Sequence, residues 1–371
     1  MYFLGQAAHF SRHDRLRHTF AVGTTRDSRE FRQALARHYG SDFSHTALYH
    51  SGRSALSVAL RVLLPKGSKI GINGFTCQAV VQAVKSAGQV PIYLDIAPGT
   101  LHFGATELRN TLKAHPDLKA IVIQNTLGYP ADLPALEKIA KKYQLEIIED
   151  LAHSVGVIYP DGREAGTVGQ AVALSFGKGK SIDTSCGGAL ILRDTNLREV
   201  KQPCRLPSFL ERVQDRLYPA FGALMRCSRR FRLHKFVTGG LLALKLIARS
   251  ADAKLDINTR LTHWQAKLAF SQWAYRVHQS QPLRHYFFVK DREEVLRRLA
   301  TQHFFFSETW YDVPISPARY YARANFPEKE CPNATRAAAE IINFPIYYPD
   351  ADLKPAYQII NSYLKEPNAK K

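Results

Sequence analysis

The chain has 371 residues, 45% of them apolar and 11% aromatic, enough for a large packed core and room for two domains. No run of about eighteen uncharged apolar residues occurs, which excludes a predicted spanning helix. Met1-Tyr2-Phe3-Leu4 lacks the basic start and long apolar core of a signal peptide. The net charge is +19, and residues 201–249 carry eleven Lys/Arg against two acids. Such a balance speaks to partners rather than to fold: anionic lipid, nucleic acid, or a substrate bearing phosphates. The five cysteines, Cys77, Cys186, Cys204, Cys227 and Cys331, are scattered and form no C-x-x-C pair. That pattern predicts neither a disulfide framework nor a structural zinc site, and a cytoplasmic location.

From residue 45 to 195 helical and extended patterns alternate. The spacing of Leu56, Ala59, Leu60 and Leu63 predicts a helix over 55–64, and 69–72 reads as a short strand. A helix follows over 78–87, a strand over 90–96, a helix over 107–114 and a buried strand over 120–124. Then come a helix over 133–143, a strand over 145–150, and two more strands at 171–176 and 189–192. Strands so spaced, with helices between them, predict an α/β domain with a mainly parallel sheet covered on both faces. Residues 205–250 differ. Phe209, Leu210, Val213, Leu217, Phe221 and Leu224 are spaced for one face of a helix, with Arg212, Arg216 and Arg226 on the other. Beyond residue 258, Trp264, Leu268, Trp273 and Val277 predict a long helix, 341–346 a strand and 356–364 a closing helix. The predicted division is a large domain over 1–199, a basic amphipathic helical insert over 200–255 and a smaller α+β domain over 256–371.

The chemistry concentrates at two strand ends. One strand ends in Glu149-Asp150, followed by Leu151-Ala152-His153. The other ends in Ser175-Phe176-Gly177-Lys178-Gly179-Lys180 and leads to Gly187-Gly188. An acid at one strand end and a lysine after the next suit a pyridoxal 5′-phosphate site. The acid pairs with the protonated ring nitrogen, and the lysine amine holds the cofactor covalently. The phosphate needs backbone amides and hydroxyls. Ser51-Gly52-Arg53-Ser54, directly before a predicted helix, supplies them, with Ser175 as a further hydroxyl. Taken singly, a strand-terminal Asp is ordinarily a cap and a Lys in a glycine loop ordinarily solvated; the joint spacing carries the argument. Gly179-Lys180-Ser181 is not a P-loop, because that motif needs a glycine where Leu174 stands.

These segments resemble the DegT/DnrJ/StrS family of sugar aminotransferases, within the aspartate aminotransferase fold (fold type I of pyridoxal phosphate-dependent transferases). Ser51-Gly52-Arg53-Ser54-Ala55-Leu56 is similar to the family's Ser-Gly-Thr-x-Ala-Leu. Val90 to Ile96 resembles its Pro-Val-Phe-Val-Asp-Ile strand, and Gly128 to Asp132 its Gly-x-x-x-Asp turn. Glu149 to His153 resembles Glu-Asp-x-Ala-Gln/His, Ser175 to Lys180 resembles Ser-Phe-x-x-x-Lys, and Asn258 to Thr262 resembles Asn-x-Arg-Met-x. Cys331-Pro332-Asn333-Ala334 and Phe344-Pro345 are similar to later motifs. The resemblance implies Lys180 as the covalent lysine, Asp150 as the ring-nitrogen partner and His153 near the cofactor's phenolic oxygen. It implies Gly52, Arg53, Ser54 and Ser175 around the phosphate. It implies a homodimer in which Asn258 and Arg260 reach the partner's site. Four positions depart from the pattern: Arg53 for Thr, Cys77 for a ring-stacking aromatic (with Phe75 as the substitute), Cys186 for the Glu of Gly-Glu-Gly-Gly, and Ser181 for Asn.

The resemblance thus implies an aminotransferase that converts a keto sugar, nucleotide-activated, to an amino sugar with an amino acid donor such as glutamate. A dehydratase- or racemase-type reaction with the same cofactor stays open, as does a non-catalytic, membrane-associated regulatory relative. For residues 205–250, contact with an anionic membrane surface stands beside simple packing on the protein. No nucleic-acid module is visible.

Overall fold

The carboxyl ends of the central strands fix where the chemistry sits. In the computed structural model, seven strands form one sheet: β1 (Thr46–Tyr49), β2 (Lys69–Asn73), β3 (Val90–Leu94), β4 (Leu118–Gln124), β5 (Glu146–Asp150), β6 (Ala171–Ser175) and β7 (Gly188–Leu192). Their order is β1-β7-β6-β5-β4-β2-β3, and β7 alone runs antiparallel to its neighbours. The structure describes residues 2–3, 12–193, 199–231, 233–247, 255–306, 309–346 and 350–364.

Twelve α-helices occur among the described residues. The first six are α1 (Arg12–Phe20), α2 (Thr25–His38), α3 (Gly52–Leu63), α4 (Gln78–Ser86), α5 (Ala105–Ala114) and α6 (Leu133–Tyr143). Next come α7 (Phe209–Arg230), α8 (His234–Ala243) and α9 (His263–Arg276), then α10 (Arg292–Thr301), α11 (Pro332–Glu340) and α12 (Asp350–Asn361). Alternation along the strands builds two cores. Ile121, Ile123, Ile147 and Val172 pack with Phe31 of α2, Leu136 of α6 and Trp273 of α9. Ala120, Val122, Ile148 and Ala171 pack on the opposite face with Leu60 of α3 and Val81 of α4. The sheet is therefore apolar on both faces, as its near-continuous apolar strands require.

Local chemistry sets the helix ends. Ser51 caps α3 by accepting from Ser54 N, and Asp132 caps α6 by accepting from Ala135 N at 3.3 Å. Glu149, fully buried at the end of β5 beside Asp150, holds the loop that connects β5 to β6. Its carboxylate accepts from Tyr159 Oη, Gly166 N, Val168 N and Gly169 N at 2.6–2.8 Å. Each bond to a buried, charged acceptor contributes about 1.5–3 kcal/mol, so Glu149 is a structural member of the Glu-Asp pair.

A smaller layer follows. β8 (Arg284–Phe288) pairs antiparallel with β9 (Ile341–Pro345), and α10 and α12 close an apolar cluster around Val295, Phe344 and Leu353. The predicted division at residue 256 assigns α9 to this smaller layer. The structure instead packs Ala266, Ala269 and Trp273 in the large core against α2. The helix period alone does not say which sheet a helix covers. The short pairing of Thr76–Cys77 with Ile315–Ser316 ties the smaller layer to the large one.

The predicted helical segment at 205–250 is α7 and α8. Its predicted polar face needs correction. Arg216 turns inward, its guanidinium 4.2 Å from the centroid of Trp264 and bonded to the carbonyls of Thr19 and Ala21. Asp215 is buried beside it. Both answer to partners far away in sequence, on α1 and α9.

Candidate active site

Asp150 ends β5 and Ser175 ends the adjacent β6; Asp150 lies in register with Ala173. The chain after β6 turns back through Gly179, at φ +73°, and places Lys180 beside His153. Lys180 Nζ lies 2.7 Å from His153 Nε2. His153 Nδ1 accepts the backbone N–H of Leu127 at 3.1 Å. A ring nitrogen that accepts carries no proton, so neutral His153 bears its hydrogen on Nε2. That N–H donates to Lys180, which must then present a lone pair: Lys180 is held as the neutral, nucleophilic amine.

The electrostatics agree. Burial lowers the Lys180 amine from its ordinary value, with Asp150 and Cys77 opposing. His153 falls well below the usual imidazole value, chiefly through burial, with the charge of Arg284 acting in the same direction. Burial raises Asp150, against the N–H of Ala152 at 2.9 Å. A cation placed against Asp150 would favour its ionised form, and a protonated pyridine ring supplies one.

The first turn of α3 faces the same end of the sheet. Ser51 Oγ lies 2.9 Å from Ser54 Oγ, and Ser54 Oγ donates to the carbonyl of Asp256 at 2.9 Å. The close approach requires glycine at two positions. A Cβ on Gly52 would lie 2.7 Å from Ser175 Cβ, and one on Gly188 would lie 2.5 Å from Gly52 N. A helix N-terminus, flanked by the hydroxyls of Ser51 and Ser175, is suited to a phosphate. The donor set therefore fits pyridoxal 5′-phosphate: a buried acid, a buried neutral amine and a helix N-terminus for the phosphate.

The other predicted residues divide. Arg53 NH1 donates to Gln82 Oε1 at 2.7 Å, which directs its guanidinium along α3 and α4. Cys77 caps α4, its sulfur accepting from Ala79 N at 3.5 Å. Phe75 is fully buried and stacks on Tyr311 at 4.9 Å between centroids, so its ring already has a partner. Asn258 is exposed, and Arg260 bonds to His263 Nε2 at 3.0 Å on a segment that pairs with Tyr49.

Three neighbours escaped the sequence reading. Arg284, buried at the start of β8, donates to Asn343 Oδ1 at 2.7 Å and lies 4.6 Å from the centroid of Trp310. Trp310 also sits over Lys180 Nζ at 5.3 Å. Tyr311 OH accepts from Gln124 Nε2 at 3.4 Å. All three come from beyond residue 280 and carry no local motif; an unbroken aromatic pair after a loop is the one faint signal.

The fold is that of the type I pyridoxal phosphate-dependent transferases. The aminotransferase TlmJ from Streptoalloteichus hindustanus superposes with a TM-score of 0.66, covering 98% of each chain at 17% identity. DesV from S. venezuelae, solved in complex with a ketimine intermediate, superposes at 0.64, covering 94% of this chain and 91% of its own at 21% identity. The chain belongs to the DegT/DnrJ/EryC1/StrS aminotransferase family, whose model matches residues 14–363. Pyridoxal 5′-phosphate is the cofactor of that family. Among curated relatives, EpsN of Bacillus subtilis is 31% identical over 169 residues and a GDP-perosamine synthase of Caulobacter vibrioides 29% over 169. Those matches span 44% and 45% of this chain, and only 43% and 44% of the relatives' own length. A pleiotropic regulatory protein of Geobacillus stearothermophilus matches more broadly, 24% identical over 80% of this chain and 78% of its own.

The Nε2-protonated tautomer of His153 is directly measurable. Nitrogen-15 NMR of the histidines will show His153 as the neutral form protonated at Nε2, with no titration between about pH 6 and 8. A His153 resonance that titrates near the ordinary imidazole value would contradict the arrangement.

Proposed function

We propose that the chain is a pyridoxal phosphate-dependent aminotransferase that turns a nucleotide-activated keto sugar into an amino sugar, taking the amine from glutamate. The observation that supports it most is the buried neutral amine of Lys180, held by His153 beside the buried carboxyl of Asp150. When bound, the cofactor supplies the electron sink that acidifies the substrate's α-carbon. Lys180 would hold the cofactor and, once released, move a proton at that carbon. Asp150 would keep the ring nitrogen protonated. His153, fixed by Leu127, would orient the amine. Gly52, Arg53, Ser54 and Ser175 would bind the phosphate through backbone and hydroxyl groups. Arg284, whose charge bears on both Lys180 and His153, favours the neutral form of each.

In this reading the protein works as a homodimer, with the exposed Asn258 and the half-buried Arg260 of one protomer entering its partner's site. Phe75 and Cys77 would line the cofactor's ring. The domain reading is a large cofactor-binding unit and a small carboxyl-terminal one, with α7 and α8 inserted between them.

Wild-type protein with the cofactor and glutamate will release 2-oxoglutarate beyond one equivalent per site only when a nucleotide-linked keto sugar is added. Lys180→Ala will lose at least about a thousand-fold of that rate, as befits a residue that both binds the cofactor and moves the proton. Failure of every nucleotide-linked keto sugar tested to draw 2-oxoglutarate from the wild type would overturn the proposal.

The insert supports a further part of the reading, peripheral contact with an anionic membrane. Phe209, Phe231, Phe236 and Leu244 are 75%, 70%, 81% and 70% exposed. Arg205, Arg212, Lys235 and Lys245 stand exposed among them. Each basic residue at such a surface contributes about 1 kcal/mol. Among the described residues no helix is long and apolar enough to cross a membrane. The protein will float with phosphatidylserine vesicles at low salt and release at high salt. Absence of flotation at low salt would end this part of the reading.

A further inference from the structure

Outside the lysine site, the fold assembles a second set of chemically active side chains. His50 precedes the Ser51-Gly52 turn, Cys186 precedes Gly187-Gly188, and Asp215 lies on the inner face of α7. Cys186 Sγ lies 3.0 Å from His50 Nε2 and 3.0 Å from Asp215 Oδ2, and the latter two atoms are 3.1 Å apart. The three side chains come from segments 136 and 29 residues apart along the chain. The His50 and Asp215 side chains are only 18% and 12% exposed.

We propose that His50, Cys186 and Asp215 form a binding site for a zinc-class divalent ion. One imidazole nitrogen, one sulfur and one carboxylate oxygen are the donor types that zinc takes, and magnesium or calcium does not take sulfur. A tetrahedral zinc ion with these donors would separate the three atoms by about 3.3–3.6 Å, so the ligands need to open by only a few tenths of an ångström. The second shell fits as well. Gln265 Nε2 donates to Cys186 Sγ at 2.9 Å and approaches Asp215 Oδ2 at 3.4 Å. An N–H aimed at sulfur offsets the charge of a metal-bound thiolate, and Thr262 in turn fixes the Gln265 carbonyl. Asp215 is further held in place through its backbone carbonyl, which lies 2.9 Å from His18 Nε2.

A catalytic cysteine is the competing use of these residues, and the arrangement disfavours it. The thiol faces a carboxylate oxygen at 3.0 Å, which opposes a free nucleophilic thiolate, whereas a bound cation would draw both groups in as ligands. With zinc bound, the thiolate and carboxylate balance the ion's two charges while His50 stays neutral. The ion would then fasten α7 to the two turns that flank the phosphate end of the lysine site. The scattered cysteines gave no metal spacing because the ligands are gathered by the fold, one from each of three elements.

The test uses the full chain and metal salts alone. After chelation, zinc loading and dialysis, elemental analysis will find about one tightly held zinc per chain. Cobalt(II) in its place will give a thiolate-to-cobalt absorption band. In Cys186→Ala the band will vanish and zinc affinity will fall by at least about 100-fold, whereas Cys204→Ser will retain both. His50→Ala, with its thiol intact, will show the same loss of affinity. Wild-type protein that holds no stoichiometric zinc, or a Cys186→Ala variant that holds as much as wild type, would overturn the proposal.

Discussion

The structure turns on keeping one lysine amine uncharged inside the protein. An ammonium group buried without compensation costs several kcal/mol. Lys180 escapes that cost by giving up its proton to solvent and accepting a hydrogen bond from His153. The arrangement works only because Leu127 occupies the other ring nitrogen of His153 and so selects the tautomer. It also works only because β5 and β6 end side by side, which brings Asp150 and the lysine loop to one place. The two-sided core, the Glu149 anchor and the glycine contacts at Gly52 and Gly188 all serve that juxtaposition.

Much of this was legible in the sequence because it is local. The strand ends at Asp150 and Ser175, the capping serine at Ser51 and the alternation that buries both sheet faces are short-range patterns. The helices and strands of 55–192 fall where their periodicities put them. What failed was non-local. The side of the sheet that α9 covers, the inward turn of Arg216, and the arrival of Arg284, Trp310 and Tyr311 over the lysine depend on contacts between residues more than a hundred positions apart. Phe75 illustrates the limit: the resemblance offers it as the substitute for a stacking aromatic, and its stacking on Tyr311 comes from a residue far along the chain.

One departure from the family's pattern, at Cys186, acquires a setting. Cys186 stands with His50 and Asp215, and Asp215 belongs to the basic insert, so one altered residue and the inserted helices meet at a single point. Lys178 joins the same side, its ammonium 4.9 Å from the centroid of Tyr218 on α7. The two lysines of the glycine loop thus face different tasks. Lys178 looks toward the insert, and Lys180 looks into the site.

That difference gives the most direct test of the account. Borohydride reduction of the protein loaded with pyridoxal 5′-phosphate, followed by peptide mass spectrometry, locates the covalently held cofactor. The account predicts the label on Lys180 alone. A label on Lys178, or a chain that binds the cofactor and carries no label, would contradict it.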